Sequence, residues 1–275
     1  MCELLGMSAN VPTDICFSFT GLIQRGGNTG PHSDGWGITF YEGKGFRTFK
    51  DPNPGFESKI AELVQSYPIK SQAVISHIRQ ANRGGVNLEN THPFTRELWG
   101  RYWTFAHNGQ LSDYETWPTG RHRSVGQTDS EFSFCWLMAE LENRYPKTPE
   151  DMSEAFRFIT ECCDKLRGQG VYNMLLSDGD YVMAYCTNHL YWITRRAPFG
   201  KASLIDEEVT VNFREETTPN DVVTVIATQP LTNDETWHRM KPGEYAVFQK
   251  GELLEGNAEQ LTDIAFAPAK VKKKR

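Results

Sequence analysis

Residues 172–194 read YNMLLSDGDYVMAYCTNHLYWIT. Three short apolar runs, Tyr172 to Ser177, Tyr181 to Cys186 and Leu190 to Thr194, are punctuated by Asp178-Gly179-Asp180 and Thr187-Asn188-His189, and the pattern predicts an antiparallel meander. Downstream, Val222 to Ala227 and Tyr245 to Phe248 supply two more strands. Upstream lie two helices. Asp129 to Tyr145 carries Phe132, Trp136, Leu137, Met138 and Leu141 on one side, with Asp129 placed to cap it. Pro149 to Arg167 opens on a residue suited to a first turn and stops at Gly168. Nearer the start, Cys2 to Met7 reads as a short buried strand. Pro12-Thr13-Asp14 then opens a capped helix through Ile15, Phe19, Leu22 and Ile23 that stops at Gly26-Gly27. Trp36 to Tyr41 and Phe46 to Phe49 flank a hairpin turn, and Phe56 to Gln65 has a helical pattern. Ala73 to Arg79 and Arg101 to Ala106 are two further strands, separated by a long polar loop, Gln80 to Gly100, of the kind that is more often functional than idle. Strands at both ends with helices between them predict an α+β fold of two antiparallel sheets covered by helices.

Composition narrows the function classes. At 275 residues, 39% hydrophobic and 23% charged, the chain has room for one or two domains. No apolar run approaches the roughly 18 residues of a membrane span, and MCELLGMSAN has no basic segment followed by a long apolar one. The expectation is a cytoplasmic protein without a membrane partner. Six cysteines, with no CxxC pair, are too sparse for a disulfide scaffold and argue against structural zinc. The net charge of -6 includes a basic tail, AKVKKKR; without its five cations, 24 basic residues face 35 acidic ones. A body this acidic repels phosphate backbones and argues against nucleic acid as a partner. The tail itself reads as a frayed, solvated terminus.

Chemistry centres on Cys2. Methionine aminopeptidase removes Met1 when the next side chain is small, which would leave Cys2 with a thiol and a free α-amine on one residue. That amine titrates near ~7.7 to 8.0 and the thiol near ~8.5, so the amine can take the thiol proton without a histidine. The same cysteine also suits a buried strand as a small apolar residue. Arg79 ends its strand with a planar fork that fits a substrate carboxylate or, equally, a surface ion pair. His92 lies in the rigid Thr91-His92-Pro93-Phe94 segment. His107-Asn108-Gly109 reads as a strand end and Asn-Gly turn, either a simple hairpin or an oxyanion hole built from an amide and a closely approaching N–H. Asp129, in Thr128-Asp129-Ser130-Glu131, suits a helix cap, an ammonium grip, or both. Spacings among His32, His77, His92 and His107 match no zinc pattern, so no metal is expected.

Taken in order, Cys2, His77-Ile78-Arg79, the Thr91 segment, His107-Asn108-Gly109 and Thr128-Asp129-Ser130-Glu131 resemble the glutaminase domain of class II glutamine amidotransferases, which are N-terminal-nucleophile hydrolases. His32 to Gly37 is similar to that family's second-strand signature, and the resemblance runs over roughly residues 2 to 250. It implies a four-layer αββα sandwich, a glutaminase domain over 2–255 and a C-terminal segment, 256–275, ending in the disordered basic tail. It further implies that Cys2 attacks the γ-amide of glutamine or a γ-glutamyl compound, that Asn108 and Gly109 hold the oxyanion, that Arg79 and Asp129 bind the α-carboxylate and α-amine, and that His92 shapes the pocket. No cofactor is needed for these steps. The run Gln80-Ala81-Asn82-Arg83-Gly84-Gly85 departs from the family, whose better-known members place an aromatic residue and a Thr-His pair there. Those members also continue into an ammonia-using domain. The alternatives are therefore a subunit feeding a separate synthase, a free-standing amidohydrolase, and a non-catalytic binder of a γ-glutamyl metabolite or a partner.

Overall fold

The computed structural model of the chain describes residues 2–67, 69–213 and 218–257. In chain order the elements are β1 (Glu3–Thr13), α1 (Cys16–Gln24), β2 (Trp36–Glu42), β3 (Gly45–Asp51), α2 (Lys59–Ser66), β4 (Ser71–Ile78), β5 (Phe94–Leu98), β6 (Arg101–Leu111), α3 (Asp129–Arg144), α4 (Met152–Arg167), β7 (Gly170–Ser177), β8 (Tyr181–Tyr185), β9 (Tyr191–Arg196), β10 (Lys201–Ser203), β11 (Thr210–Asn212), β12 (Val222–Ala227), β13 (His238–Arg239), β14 (Tyr245–Gln249) and β15 (Glu252–Gly256). One sheet has the order β13-β9-β12-β1-β4-β2-β3 and a second the order β15-β14-β8-β7-β6-β5, while β10 and β11 form a separate hairpin. Pairing within both large sheets is antiparallel.

Three apolar clusters separate four layers. Phe19, Leu22 and Val64 of α1 and α2 pack on Trp36, Ile38 and Val74 of the first sheet. Leu4, Ile75, Ala106, Leu175 and Phe248 meet between the sheets. Phe134, Leu137, Phe156 and Ile159 of α3 and α4 cover Phe105 and Tyr172 of the second sheet. The central strands have no solvent face, and their period of two sends alternate apolar residues into different clusters: Leu4 and Leu5 of β1, or Phe105 and Ala106 of β6, point to opposite sides. This is the expected α+β sandwich, in the αββα order.

Several local expectations change. The first strand continues to Thr13, and α1 has no side-chain cap at Ile15; Asp14 instead accepts the Cys16 N–H at 3.1 Å. The stretch Gln80 to Gly100 is not all loop, because β5 pairs Phe94 with Phe105 and Leu98 with Arg101. Thr128, not Asp129, caps α3 through the Glu131 N–H. Asp151, not Pro149, opens α4. The meander also breaks. β14 takes the free edge of β8, pairing Tyr245 with Tyr185, so the chain crosses after Tyr185 and β9 joins the other sheet beside β12. His107-Asn108-Gly109 is no turn but lies inside β6, paired with β7. The basic tail lies outside the described residues.

Candidate active site

The two central strands of the first sheet place the nucleophile candidate. Glu3 pairs with Ile78, so Cys2 and Arg79 emerge side by side from the ends of β1 and β4. The Gln80 N–H donates to Cys2 Sγ at 3.3 Å, and Sγ lies 3.5 Å from the Gln80 carbonyl oxygen. Burial pushes the Cys2 thiol above its ordinary pKa, and the bond from Gln80 only partly offsets this. A thiol held neutral in this way needs a proton acceptor close by before it can attack.

A buried charge fixes the start of β1. Glu3 accepts from Arg25 Nη1 at 3.3 Å, and the same guanidinium donates to the carbonyls of Gln229 at 3.3 Å and Pro230 at 2.7 Å and to Asp206 at 2.7 Å. Burial raises the Glu3 pKa, with Arg25 opposing it. Arg25→Ala would leave Glu3 buried without its partner, at an expected cost of about 3 kcal/mol at neutral pH. Because the folded Glu3 pKa then stands above its unfolded value, the variant should regain stability as pH falls through it; urea titrations at two pH values check both the loss and its sign.

Arg79 is buried and its backbone is pinned: its N–H donates to Gly35 O at 2.7 Å and its carbonyl accepts from Asp34 N at 3.1 Å. Its guanidinium reaches into the following loop, donating to the carbonyls of Gly85 at 2.9 Å, Arg83 at 2.8 Å and Gly84 at 3.4 Å. Three acceptors against five N–H donors leave capacity for a further anion. Among the described residues Arg79 forms no ion pair; its guanidinium is held by backbone carbonyls instead.

The second sheet supplies the opposite wall. Asn108 is fully enclosed and its Nδ2 has no hydrogen-bond partner among the described residues. A buried amide donor without a partner is costly unless something else uses it. At Gly109 a Cβ would collide with the Val171 carbonyl oxygen, so only glycine fits. His107 Nε2 faces that same carbonyl at 3.2 Å; the carbonyl can only accept, so Nε2 carries the proton and Nδ1 accepts from the Ser130 hydroxyl at 2.8 Å. Asp129 accepts from the Leu111 N–H at 2.7 Å and the Ser130 N–H at 3.0 Å, which tie the first turn of α3 to the end of β6.

His92 completes the enclosure. Its ring stacks on His77 with centroids 4.0 Å apart, and neither of its nitrogens has a partner among the described residues. Burial lowers the pKa of His77, His92 and His107, so all three are neutral imidazoles at pH 7. Behind the loop, Lys50 Nζ donates to Thr91 O at 2.8 Å, and burial lowers its pKa to about 8.

Five of the six residues singled out from the sequence, Cys2, Arg79, His92, Gly109 and Asp129, line one small cavity, with Gln80 to Arg83, His107, Thr128 and Ser130. Asn108 is next to Gly109 but not in the wall. The cavity is small, about 30 Å³. Sequence reasoning quoted Gln80 and Ser130 only within longer segments and gave them no role, and it missed the Glu3–Arg25 pair, whose signal was one acid in the otherwise apolar run Cys2 to Met7. Among the described residues no group of three or more His, Cys, Asp or Glu is placed to hold a metal ion, and no helix is long and apolar enough to cross a membrane.

Known proteins are similar to the chain over most of its length. The model of the family described as class-II glutamine amidotransferases matches residues 1–270. YafJ of Escherichia coli (strain K12), provisionally named a glutamine amidotransferase, is 69% identical over 254 residues, covering 92% of this chain and 100% of YafJ. A crystal structure from Pseudomonas aeruginosa PA01, described as a predicted glutamine amidotransferase, superimposes with a TM-score of 0.75 at 52% identity, over 92% of this chain and all of that one. Glutamine phosphoribosylpyrophosphate amidotransferase from B. subtilis shares the fold at 15% identity, with a TM-score of 0.62 over 93% of this chain and 49% of that one.

Proposed function

The chain belongs to the class II glutamine amidotransferases, and from that premise we propose that it hydrolyses the γ-amide of glutamine or of a γ-glutamyl compound with Cys2 as nucleophile. The observation that carries the reading is the convergence of Cys2, Arg79, Gly109 and Asp129 on one cavity beside the unpartnered amide of Asn108. The catalytic unit takes in both sheets, from Cys2 through the end of β15 at Gly256.

Removal of Met1 frees the α-amine of Cys2, which takes the thiol proton as Sγ attacks the amide carbon. Negative charge gathers on the amide oxygen, where Asn108 Nδ2 and the Gly109 N–H receive it. The ammonium returns its proton to the leaving nitrogen, so the C–N bond breaks and ammonia, or an amine, departs from a glutamyl thioester. Water, deprotonated by the same amine, attacks the thioester and releases glutamate and the thiol. Arg79 grips the α-carboxylate and Asp129 the α-ammonium, one charge for each end of an amino acid, while His92 closes the pocket wall. No cofactor takes part.

Arg79→Lys tests the grip. A point ammonium cannot offer the fork, so KM should rise about 10- to 100-fold, the loss of one charge-assisted bond, with kcat changed much less. The reading as a whole is tested by intact mass followed by incubation of the Met1-free protein with a panel of γ-glutamyl amides. Release of ammonia or amine from at least one of them is expected. Inertness toward all would instead favour a binder without chemistry or an obligatory partner synthase.

A further inference from the structure

The oxyanion donors and the nucleophile sit on different sheets, so their spacing depends on how the sheets are tied at this end of the sandwich. Asn173 of β7 lies directly opposite Asn108 of β6 and is fully buried. Its Nδ2 donates to the Asn108 carbonyl at 3.0 Å and to Asn188 Oδ1 at 2.7 Å, while its Oδ1 accepts from the N–H groups of Thr187 at 2.9 Å and Asn188 at 3.2 Å. Two donors and two acceptors are thus all used, which is the full capacity of a carboxamide. Thr187 adds a second clasp, donating to Tyr172 O at 2.7 Å and accepting from Tyr172 N at 3.1 Å. Thr187 and Asn188 belong to the segment in which the chain leaves β8 of the second sheet for β9 of the first. β9 pairs with β12, and β12 with β1, the strand that begins at Cys2.

We propose that Asn173 is a positioning residue: by holding the Asn108 carbonyl against the crossover at Asn188, it fixes the Asn108 amide and the Gly109 N–H relative to Cys2. This rests on the hydrolytic reading above. A merely structural asparagine would influence stability; a positioning one influences transition-state stabilisation, and leaves substrate binding by Arg79 and Asp129 alone.

Asn173→Asp is the informative variant, because it keeps the shape and the acceptor for Thr187 and Asn188 but removes both donors. It is expected to lower kcat about 10- to 100-fold, as a displacement of reacting groups by an ångström does, with KM within about twofold of the wild type. The Asn108 side-chain amide resonance of ¹⁵N-labelled protein should shift as well. An active wild type together with an Asn173→Asp protein of unchanged kcat overturns the inference alone, even if its melting temperature falls. A wild type inert toward every γ-glutamyl amide overturns the parent reading and this one with it. If the aspartate variant does not fold, Asn188→Ala removes the outer acceptor and should lower kcat several-fold at unchanged KM; wild-type kcat in that variant would sink the proposal.

Discussion

Cys2→Ala is expected to abolish amide hydrolysis, by on the order of 10⁴-fold or more in kcat, with folding stability within about 1 kcal/mol of the parent. The side chain is small and half-buried, and its polar contacts among the described residues are with the backbone of Gln80, so truncation leaves no buried charge behind. A protein that keeps Met1 should be as inactive as the alanine variant. Its amine has become an amide, and burial keeps the thiol protonated. The pH profile follows with a definite sign. The α-amine must be unprotonated to accept the thiol proton, so kcat should fall as pH drops through about 7.7 to 8.0. Persistence of full activity in protein shown by mass to carry Met1 would move the base to His92, in the cavity wall, whose two nitrogens have no partner among the described residues.

How much of this was legible beforehand depends on the kind of residue. Cys2, Arg79 and Asp129 could be singled out by position 2, a strand end and a helix start, but each kept a structural alternative until their order was matched to the family resemblance; the structure adds that they line one cavity. The α+β class and most strands were equally legible, because central strands buried on both faces appear as apolar runs such as Ala73 to Ile78. Sheet membership was not. Nothing in Tyr191 to Arg196 marks it for the first sheet; that follows from β14 occupying the edge of β8, a contact across some 60 residues of chain. His107-Asn108-Gly109 misled for a related reason. An Asn-Gly pair is a common hairpin signal, but here the glycine is required by the close approach of Val171 in a neighbouring strand. Gln80 and Asn173 act through partners between 14 and 78 positions away, and Ser130, though inside the Thr128-Asp129-Ser130-Glu131 segment, shows its role only through His107, 23 positions away.

The second large effect is expected at Asn108. If its amide receives the developing oxyanion, Asn108→Ala should lower kcat about 10²- to 10³-fold, the range found when one such donor is removed, and should leave KM nearly unchanged. Two features separate this residue from its neighbours. Its Nδ2 has no partner among the described residues, so deleting it strands no donor or acceptor around it, in contrast to Asn173, whose carboxamide serves four groups. Its carbonyl, which Asn173 does hold, belongs to the backbone and survives the substitution. The alanine protein should therefore fold with close to wild-type stability and bind substrate through Arg79 and Asp129 while failing to stabilise the transition state. Asn108→Asp should lose at least as much, since a carboxylate facing an oxyanion repels it. Single-turnover release of a chromogenic amine from a γ-glutamyl anilide isolates the acylation step in which this charge appears. A kcat for Asn108→Ala within threefold of the wild type would mean that the oxyanion is held elsewhere, and that this buried amide answers to a different ligand.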